Sequence, residues 1–328
     1  MATLPIKKVL KEPHEKYLAF CRHSLKDCPE NSNQVCNTDG LCTRNCKNDK
    51  FCLQCLSKIF EDENSRFRRY KCENITYSYV LRYLNRYASE IFLLLKSNLL
   101  FNKQTPLDIV SIGCGPATEL FGFERSIHTI IPNRSLRFFG YEPNQLWNNC
   151  QSFVSHIFNS IPNCSVSFIN NYFDENNPLV TNLDFLVLNY LLSDIHKHSP
   201  GEKIERDNAV ISYLNNTILP IFKKMKKGSY ILINDTNSHN MGRNAIEKWA
   251  NSINSLCLRV VKGYFDYPNR YPGAHFNSGD KQEKSNSLQF APPNSMMYNY
   301  DIYTIYINEC RSSYVLIQRG VINDSKCF

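Results

Sequence analysis

The sequence of 328 residues lacks long hydrophobic runs, which argues against a membrane-spanning segment. Its longest apolar run, IFLLLKSNLLF, is shorter than the ~20 residues that a spanning helix needs, and Lys96 interrupts it. The N-terminal stretch MATLPIKKVLKEPHEKYL also lacks the apolar core of a secretory signal peptide. These absences predict an intracellular protein, either cytoplasmic or nuclear.

Cysteine, by contrast, is abundant, and eight of the 14 cysteines lie within 52 residues of the N-terminal third. They are Cys21, Cys28, Cys36, Cys42, Cys46, Cys52, Cys55 and Cys72. Because intracellular compartments are reducing, ligation of one or two zinc ions is favoured, with a disulfide framework and unligated thiols as alternatives. Residues 21–55 are poor in apolar side chains, so they could hardly fold by burial alone, and bound zinc would supply folding free energy.

Positive charge is concentrated in the same third of the chain. Residues 1–107 carry 18 Lys and Arg against 11 Asp and Glu, whereas the remainder is nearly neutral. The stretch RFRRYK at 66–71 places aromatic rings beside arginines, which suits RNA phosphates and bases, although a solvated linker would look the same. We therefore expect a cysteine-rich module at 1–75, a connecting amphipathic helix at 76–106 and a body at 107–328.

From about residue 107 onward, short apolar segments alternate with longer mixed ones. Strands are predicted at 108–113, 136–142, 166–173, 183–190 and 229–235, and helices at 76–101, 116–124, 143–159, 203–225 and 240–254. This alternation predicts an α/β fold with a mostly parallel sheet and helices on both of its faces. Residues 300–308 and 313–320 predict an antiparallel hairpin at the sheet edge, and 265–298, rich in Pro, Gly, Ser and Asn, predicts a long loop.

A Gly-x-Gly turn, GCGP, follows the first predicted strand. A dinucleotide-binding turn would have a third glycine where Thr118 stands, and Pro116 removes a backbone N–H that a phosphate would use. Gly113 and Gly115 still allow a ligand without a pyrophosphate to approach the backbone closely. Glu142 closes the next strand, where its two oxygens could accept hydrogen bonds from both hydroxyls of a ribose. The adenosine of S-adenosylmethionine fits this combination.

The run DIVSIGCGPATEL together with Glu142 resembles the first two motifs of class I S-adenosylmethionine-dependent methyltransferases. LDFLVLNYLLSD and GSYILIND resemble the fourth- and fifth-strand motifs of that family, so the resemblance spans roughly residues 107–320. It implies a doubly wound, mostly parallel seven-stranded sheet whose last strand is reversed. It also implies that S-adenosylmethionine binds at Gly113, Cys114, Gly115, Glu142, Asn171 and Asn189. For the adenine amino group, where the family often has an acid, Asn170, Asn171 and Asp174 are all candidates.

In-line methyl transfer requires that the acceptor be held against the methyl carbon, and a general base helps when the acceptor loses a proton. The groups that line the acceptor side should follow the fourth and fifth strands. Asp235 is the first candidate for a base or an acceptor-orienting group, and Tyr190 and Asp194 come next. Asp235 could equally cap or turn the backbone. The chain lacks the Pro-Pro motif of the family's nucleobase-amino methyltransferases, which counts against methylation of an exocyclic base amine.

The sequence therefore predicts an S-adenosylmethionine-dependent methyltransferase whose acceptor is RNA, then a protein side chain, then a small molecule. The zinc module would recognise the acceptor or brace the fold. The alternative from another class is a non-catalytic methyltransferase-like protein whose zinc module docks a partner. A second rival is a nicotinamide-dependent enzyme.

Overall fold

Eight strands form one sheet in a computed structural model that describes residues 12–25, 73–98, 106–130, 134–237, 242–253, 258–265, 280–283, 285, 287–290 and 309–320. The strands are β1 (Leu107–Ile112), β2 (Leu136–Tyr141), β3 (Cys164–Ile169), β4 (Phe185–Asn189), β5 (Tyr230–Thr236), β6 (Leu258–Phe265), β7 (Asp280–Glu283) and β8 (Ser312–Arg319). Their order is β3-β2-β1-β4-β5-β8-β6-β7. All neighbouring pairs are parallel except the two that β8 makes. The predicted mostly parallel α/β sheet with a reversed C-terminal strand is confirmed.

The first strand of the predicted hairpin, 300–308, lies outside the described residues and stays a prediction. Its second segment, 313–320, corresponds to β8, which is antiparallel as predicted but pairs with β5 on one side and β6 on the other, so it lies inside the sheet and not at its edge. β6 was not predicted, because its Lys262 looks like a surface residue. In the structure Lys262 is buried and its ammonium lies 2.7 Å from the Glu247 carboxylate. The described sheet has eight strands instead of seven, and β7 lies inside the predicted loop 265–298.

Helices join the strands and cover both faces of the sheet. They are α1 (Pro13–Ser24), α2 (Glu73–Asn98), α3 (Thr118–Ile130), α4 (Asn148–Asn159), α5 (Leu192–His198), α6 (Lys203–Tyr213), α7 (Leu219–Lys224) and α8 (Arg243–Ser252). A π-helical turn, Leu214–Ile218, joins α6 to α7, so the predicted helix 203–225 is nearly continuous. The other predicted helices are present with shifted ends, whereas the seven-residue α5 was not predicted. No helix in the described part of the chain has both the length and the apolar character to cross a membrane.

The sheet separates two hydrophobic cores. Ile109 and Val187 belong to the core beneath α1, α2, α3 and α4, and Val110 and Leu188 belong to the core beneath α6, α7 and α8. Neighbouring residues of one strand point to opposite faces. The central strands are apolar at consecutive positions because both faces of a parallel sheet are buried.

The helix α1 belongs to the predicted cysteine-rich module, yet it packs on the first of these cores. Its Tyr17 ring stacks on Phe121 with 5.6 Å between ring centroids, and its Phe20 ring stacks on Phe153 at 4.0 Å. Cys21 is fully buried on the same side of the helix. The predicted domain boundary near residue 75 stays a prediction, because 26–72 lie outside the described residues.

The helices α2 and α3 pack tightly against each other at Gly122. A Cβ at this position would lie 2.6 Å from the Ala88 carbonyl oxygen and 2.8 Å from Ile91 Cβ. The added methyl group would overpack this contact, and the resulting destabilisation exceeds the gain in helix propensity from glycine to alanine. We therefore expect Gly122→Ala to lower the free energy of unfolding by roughly 1–2 kcal/mol. Urea denaturation measures this change. Thr129→Ala, at an exposed position of α3, is the control, and equal stability of both variants would contradict close packing at Gly122.

Candidate functional site

A cavity of about 950 Å³ lies at the carboxyl ends of the central strands. From β1 the chain continues to β2 on one side, and from β4 it continues to β5 on the other, so the cavity lies at the switch point where open α/β sheets bind ligands. Eight of the nine candidate cofactor-binding and catalytic residues line it: Gly113, Cys114, Gly115, Glu142, Asn171, Asn189, Tyr190 and Asp194. The ninth, Asp235, is buried, and its neighbour Thr236 lines the cavity.

The turn after β1 presents backbone to the cavity. Gly113 has a φ of +62° and Gly115 a φ of +48°, a region that glycine adopts without strain. A Cβ on Gly113 would also lie 2.8 Å from Leu191 Cδ1. The Cys114 thiol packs over Gly140 of β2, where a Cβ would lie 2.7 Å from its sulfur. Burial raises the pKa of Cys114, so this cysteine is a small protonated residue that fits the turn.

The Glu142 carboxylate faces this turn. Its Oε2 accepts a hydrogen bond from Gly115 N at 3.0 Å, and its Oε1 accepts one from Asn144 N at 2.9 Å. Burial raises the pKa of Glu142, while the two backbone amides act in the opposite direction. Because a carboxylate oxygen has two lone pairs, each oxygen can accept a second hydrogen bond. The structure thus places a two-oxygen acceptor at the turn, which can bind a vicinal diol.

Asn189 and Asn171 line different parts of the cavity. Asn189 Nδ2 lies 3.3 Å from Glu119 Oε2, and Asn189 Oδ1 accepts a hydrogen bond from Asn234 Nδ2 at 2.9 Å. This buried network fixes the end of β4 next to the turn. Asn171 is exposed after β3, and its Oδ1 accepts a hydrogen bond from the backbone N–H of Tyr172. The Tyr172 side chain is 77% exposed, so an aromatic ring stands at the mouth of the cavity.

Asp235 lies beneath the cavity and holds α5. Its Oδ2 accepts a hydrogen bond from Ser193 N at 2.9 Å, and its Oδ1 accepts one from Thr236 N at 2.7 Å. Ser193 is in the first turn of α5, so the carboxylate caps that helix. Of the two roles that the sequence allowed for Asp235, a catalytic one and a backbone-capping one, the contacts correspond to the second. In this position Asp235 can orient the cavity wall, but it does not itself line the cavity.

The carboxyl group of Asp235 makes stability depend on pH. Burial raises its pKa from 3.8 to about 6, so the folded state binds the proton more tightly than the unfolded state between these values. The stabilisation by protonation is therefore complete below about pH 4 and is lost as pH rises through 6. Relative to Asp235→Asn, we expect the wild-type chain to lose on the order of 3 kcal/mol in free energy of unfolding from pH 4 to pH 7. Urea titrations of both proteins across this range measure the difference, and a constant difference would contradict the raised pKa.

The other two catalytic candidates differ in what surrounds them. The Tyr190 hydroxyl donates to Glu90 Oε2 at 2.9 Å and accepts from Arg86 Nη2 at 2.7 Å. Burial raises the pKa of Tyr190 well above its ordinary value, so the phenol stays protonated and is a poor general base. Asp194 is partly exposed on the cavity wall, with its Oδ1 3.1 Å from His198 Nδ1. Asp194 is therefore the better placed of the two to accept a proton from an acceptor.

The sequence analysis did not identify one wall of the cavity, which α2 provides. Its residues are Tyr79, Arg82, Tyr83, Arg86 and Tyr87. The sequence pattern that could have identified this wall is YVLRYLNRY at 79–87. Tyrosine recurs there every four residues, and an arginine precedes the second and the third tyrosine. Residues four apart share one face of a helix. A helix face of tyrosine and arginine that is turned toward the protein body indicates a polar cavity.

The predicted zinc site has little support from the described residues. Cys21 is the only one of its eight candidate ligands in that part of the chain, and it is fully buried in the core. The other seven lie outside the described residues. Within the ranges that the structure describes, no three His, Cys, Asp or Glu side chains converge to hold a metal ion.

Comparisons with known proteins find similarity only among solved structures. No protein-family model and no curated protein matches the sequence. A Listeria monocytogenes protein assigned to the class I S-adenosylmethionine-dependent methyltransferases is 11% identical over 84% of this chain and 68% of its own, with a TM-score of 0.42. The plantazolicin methyltransferase BpumL, solved with S-adenosylhomocysteine, is 13% identical over 81% and 94%, with a TM-score of 0.40. The CurJ carbon methyltransferase is 10% identical over 83% and 65%, with a TM-score of 0.36.

Proposed function

We propose that this chain is an S-adenosylmethionine-dependent methyltransferase. The proposal depends on one observation: the turn, which has no side chain at Gly113 or Gly115, faces the Glu142 carboxylate in a cavity at the switch point of the sheet. The turn leaves room for the amino-acid part of the cofactor, and the carboxylate suits its ribose. Thr118 and Pro116 make the same turn unsuited to a pyrophosphate, which disfavours a nicotinamide cofactor.

Other residues of the cavity fit the remaining groups of this cofactor. Arg82 lines the cavity on α2, and a guanidinium is the preferred partner of a carboxylate such as the one on the amino-acid part. Asn171 and the exposed ring of Tyr172, after β3, offer a hydrogen-bonding group and a flat face for adenine. When bound, the cofactor supplies a methyl group on a positively charged sulfur.

The residues of this chain would then position the acceptor and manage its proton. An acceptor lone pair would have to lie in line with this methyl carbon, and the residues that line the cavity would hold it there. Holding the two atoms in line supplies much of the rate enhancement. Where the acceptor loses a proton, the carboxylate of Asp194, which lies on the cavity wall, is the group that can receive it. Asp235 contributes indirectly, because it caps the helix on which Asp194 lies.

RNA remains the first acceptor class that we propose, followed by a protein side chain. The support comes from the positive charge of the N-terminal third and from the RFRRYK stretch at 66–71. We also keep the zinc module as a proposal, with the seven cysteines that lie outside the described residues as its ligands. Zinc analysis of the purified chain tests it, and a chain without zinc would remove it.

Two measurements test the proposed activity. Calorimetry with S-adenosylhomocysteine should show binding that is tighter than binding of NAD(H). The absence of any heat would favour the non-catalytic binding protein instead. Incubation of the chain with cell extract and tritium-labelled S-adenosylmethionine should label a macromolecule. Loss of the label with RNase alone identifies RNA as the acceptor, and loss with protease alone identifies protein.

A further inference from the structure

Three tyrosine rings form a nearly parallel stack along the α2 side of the cavity. The centroids of Tyr83 and Tyr87 lie 5.2 Å apart with 8° between the ring planes. Those of Tyr87 and Tyr190 lie 3.8 Å apart with 23° between the planes. Tyr83 and Tyr87 are buried, whereas Tyr190 is half-buried and ends the stack. Tyr190 is therefore the most exposed residue of the three and lines the cavity, and the Arg86 guanidinium carbon lies 5.4 Å from the centroid of its ring.

The backbone of Tyr190 is strained. Its φ is +58°, a left-handed conformation that residues other than glycine rarely adopt. Such a conformation persists only where the surroundings hold it, and these residues cluster at functional sites. Here Tyr190 N donates to the Asn234 carbonyl oxygen at 2.8 Å, and the hydroxyl lies between Glu90 and Arg86. The ring is thus held at its backbone, its face and its hydroxyl.

Glu90 is the centre of this arrangement. It is fully buried, and its carboxylate is contacted by five donors: Arg86 Nε (2.9 Å), Tyr190 Oη (2.9 Å), Asn234 Nδ2 (3.2 Å), Arg311 N (2.8 Å) and Ser312 N (3.2 Å). These donors come from α2, from the segment after β4, from β5 and from the beginning of β8. A buried ion pair contributes little to stability compared with apolar packing, so its value lies in fixing geometry. The two groups that Glu90 fixes at the cavity are Tyr190 and Arg86.

We infer that the methyl acceptor presents a planar aromatic group to the ring of Tyr190, and that Glu90 and Arg86 are positioning residues for this ring. The inference rests on the proposed function. A stack of parallel rings ends in a flat face, and a further flat group extends the stack with favourable offset contacts. A nucleobase within RNA and a free aromatic molecule share this chemistry.

Substitutions of Tyr190 separate its ring from its hydroxyl. Tyr190→Leu removes the aromatic face, and we expect methyl transfer to the labelled fraction of a cell extract to fall roughly tenfold. Tyr190→Phe keeps the aromatic face and loses only the hydroxyl contacts with Glu90 and Arg86, so its loss of transfer should be smaller. Both variants should bind S-adenosylhomocysteine within about twofold of the wild type. Tyr77→Phe, on α2 but outside the cavity wall, is the matched control.

A double-mutant cycle tests the positioning role of Glu90. If Glu90 acts through the Tyr190 hydroxyl, Glu90→Gln should raise KM for the acceptor in the wild-type background and have much less effect in the Tyr190→Phe background. A residue with only a structural role would act equally in both. The Tyr190 variants still test the acceptor contact if Glu90→Gln does not fold.

The chemical identity of the labelled product completes the test. Label on an aromatic ring system or on a group attached directly to it supports the inference, and RNase treatment distinguishes a nucleobase in RNA from a free aromatic molecule. Label on an aliphatic amine or carboxylate, or wild-type transfer by Tyr190→Leu, overturns it. Failure of the proposed function is a separate result, because it appears as the absence of S-adenosylhomocysteine binding in the wild-type chain.

Discussion

Glu142→Ala is expected to weaken the binding of S-adenosylhomocysteine by about 100-fold or more. In the structure the carboxylate is held against the glycine turn by Gly115 N and Asn144 N, with both oxygens still able to accept. Two hydrogen bonds from ribose hydroxyls to a charged acceptor contribute about 1.5–3 kcal/mol each, and 1.4 kcal/mol corresponds to a tenfold change in affinity. Calorimetry measures the loss directly.

A change in the ligand shows whether the loss comes from the sugar contact. With an analogue that lacks the ribose 2′-hydroxyl, the effect of Glu142→Ala should shrink, because one of the two bonds is already missing. Glu175→Ala, at a remote position beside Lys224, is the control and should bind the ligand normally. Wild-type affinity in Glu142→Ala would remove the observation on which the proposed function depends.

Glu90→Ala is expected to cost about 3–5 kcal/mol in free energy of unfolding. Arg86 is 8% exposed and would remain buried without its carboxylate partner, and the backbone N–H groups of Arg311 and Ser312 would lose their acceptor. Leaving buried polar groups unsatisfied carries the full cost of their desolvation. Urea denaturation gives the value for a two-state transition.

The matched comparison for Glu90 is an exposed ion pair. Glu175 lies 3.8 Å from Lys224 with both side chains partly exposed, so Glu175→Ala should change stability by less than ~1 kcal/mol. Adding Arg86→Met to Glu90→Ala should recover part of the lost stability, because it removes the unpaired charge. If Glu90→Ala were as stable as Glu175→Ala, the buried network described above would not exist in solution.

The sequence was sufficient where a feature depends on neighbouring residues. β1, β2, β4 and β5 were predicted because each is a short, mostly apolar segment, and the turn at Gly113 was predicted because its glycines directly follow one of these segments. Glu142 was placed at the cavity for the same reason, since the end of one parallel strand lies beside the end of the next. The pattern of apolar residues and glycines, together with the order of the strands, was therefore enough to predict the glycine turn and Glu142.

Features that depend on distant residues were not predicted. Glu90 looked like one polar residue of an amphipathic helix, but its partners Tyr190 and Ser312 lie 100 and 222 positions away in the chain. Asp235 remained ambiguous because a carboxylate after a strand can cap a helix or act on a substrate, and only the position of Ser193 decides between them. The pairing of β8 with β6 was missed because β6 itself was not predicted and more than 40 residues separate the two strands.

The position of β8 has a consequence for protein synthesis. β8 fills the gap between β5 and β6, although more than 40 residues separate the end of β6 from its beginning. Until the ribosome has released the chain as far as residue 319, β5 and β6 each have one edge without a hydrogen-bonding partner. Unpaired strand edges promote aggregation, so a chain that ends before residue 319 should aggregate more readily than the full chain.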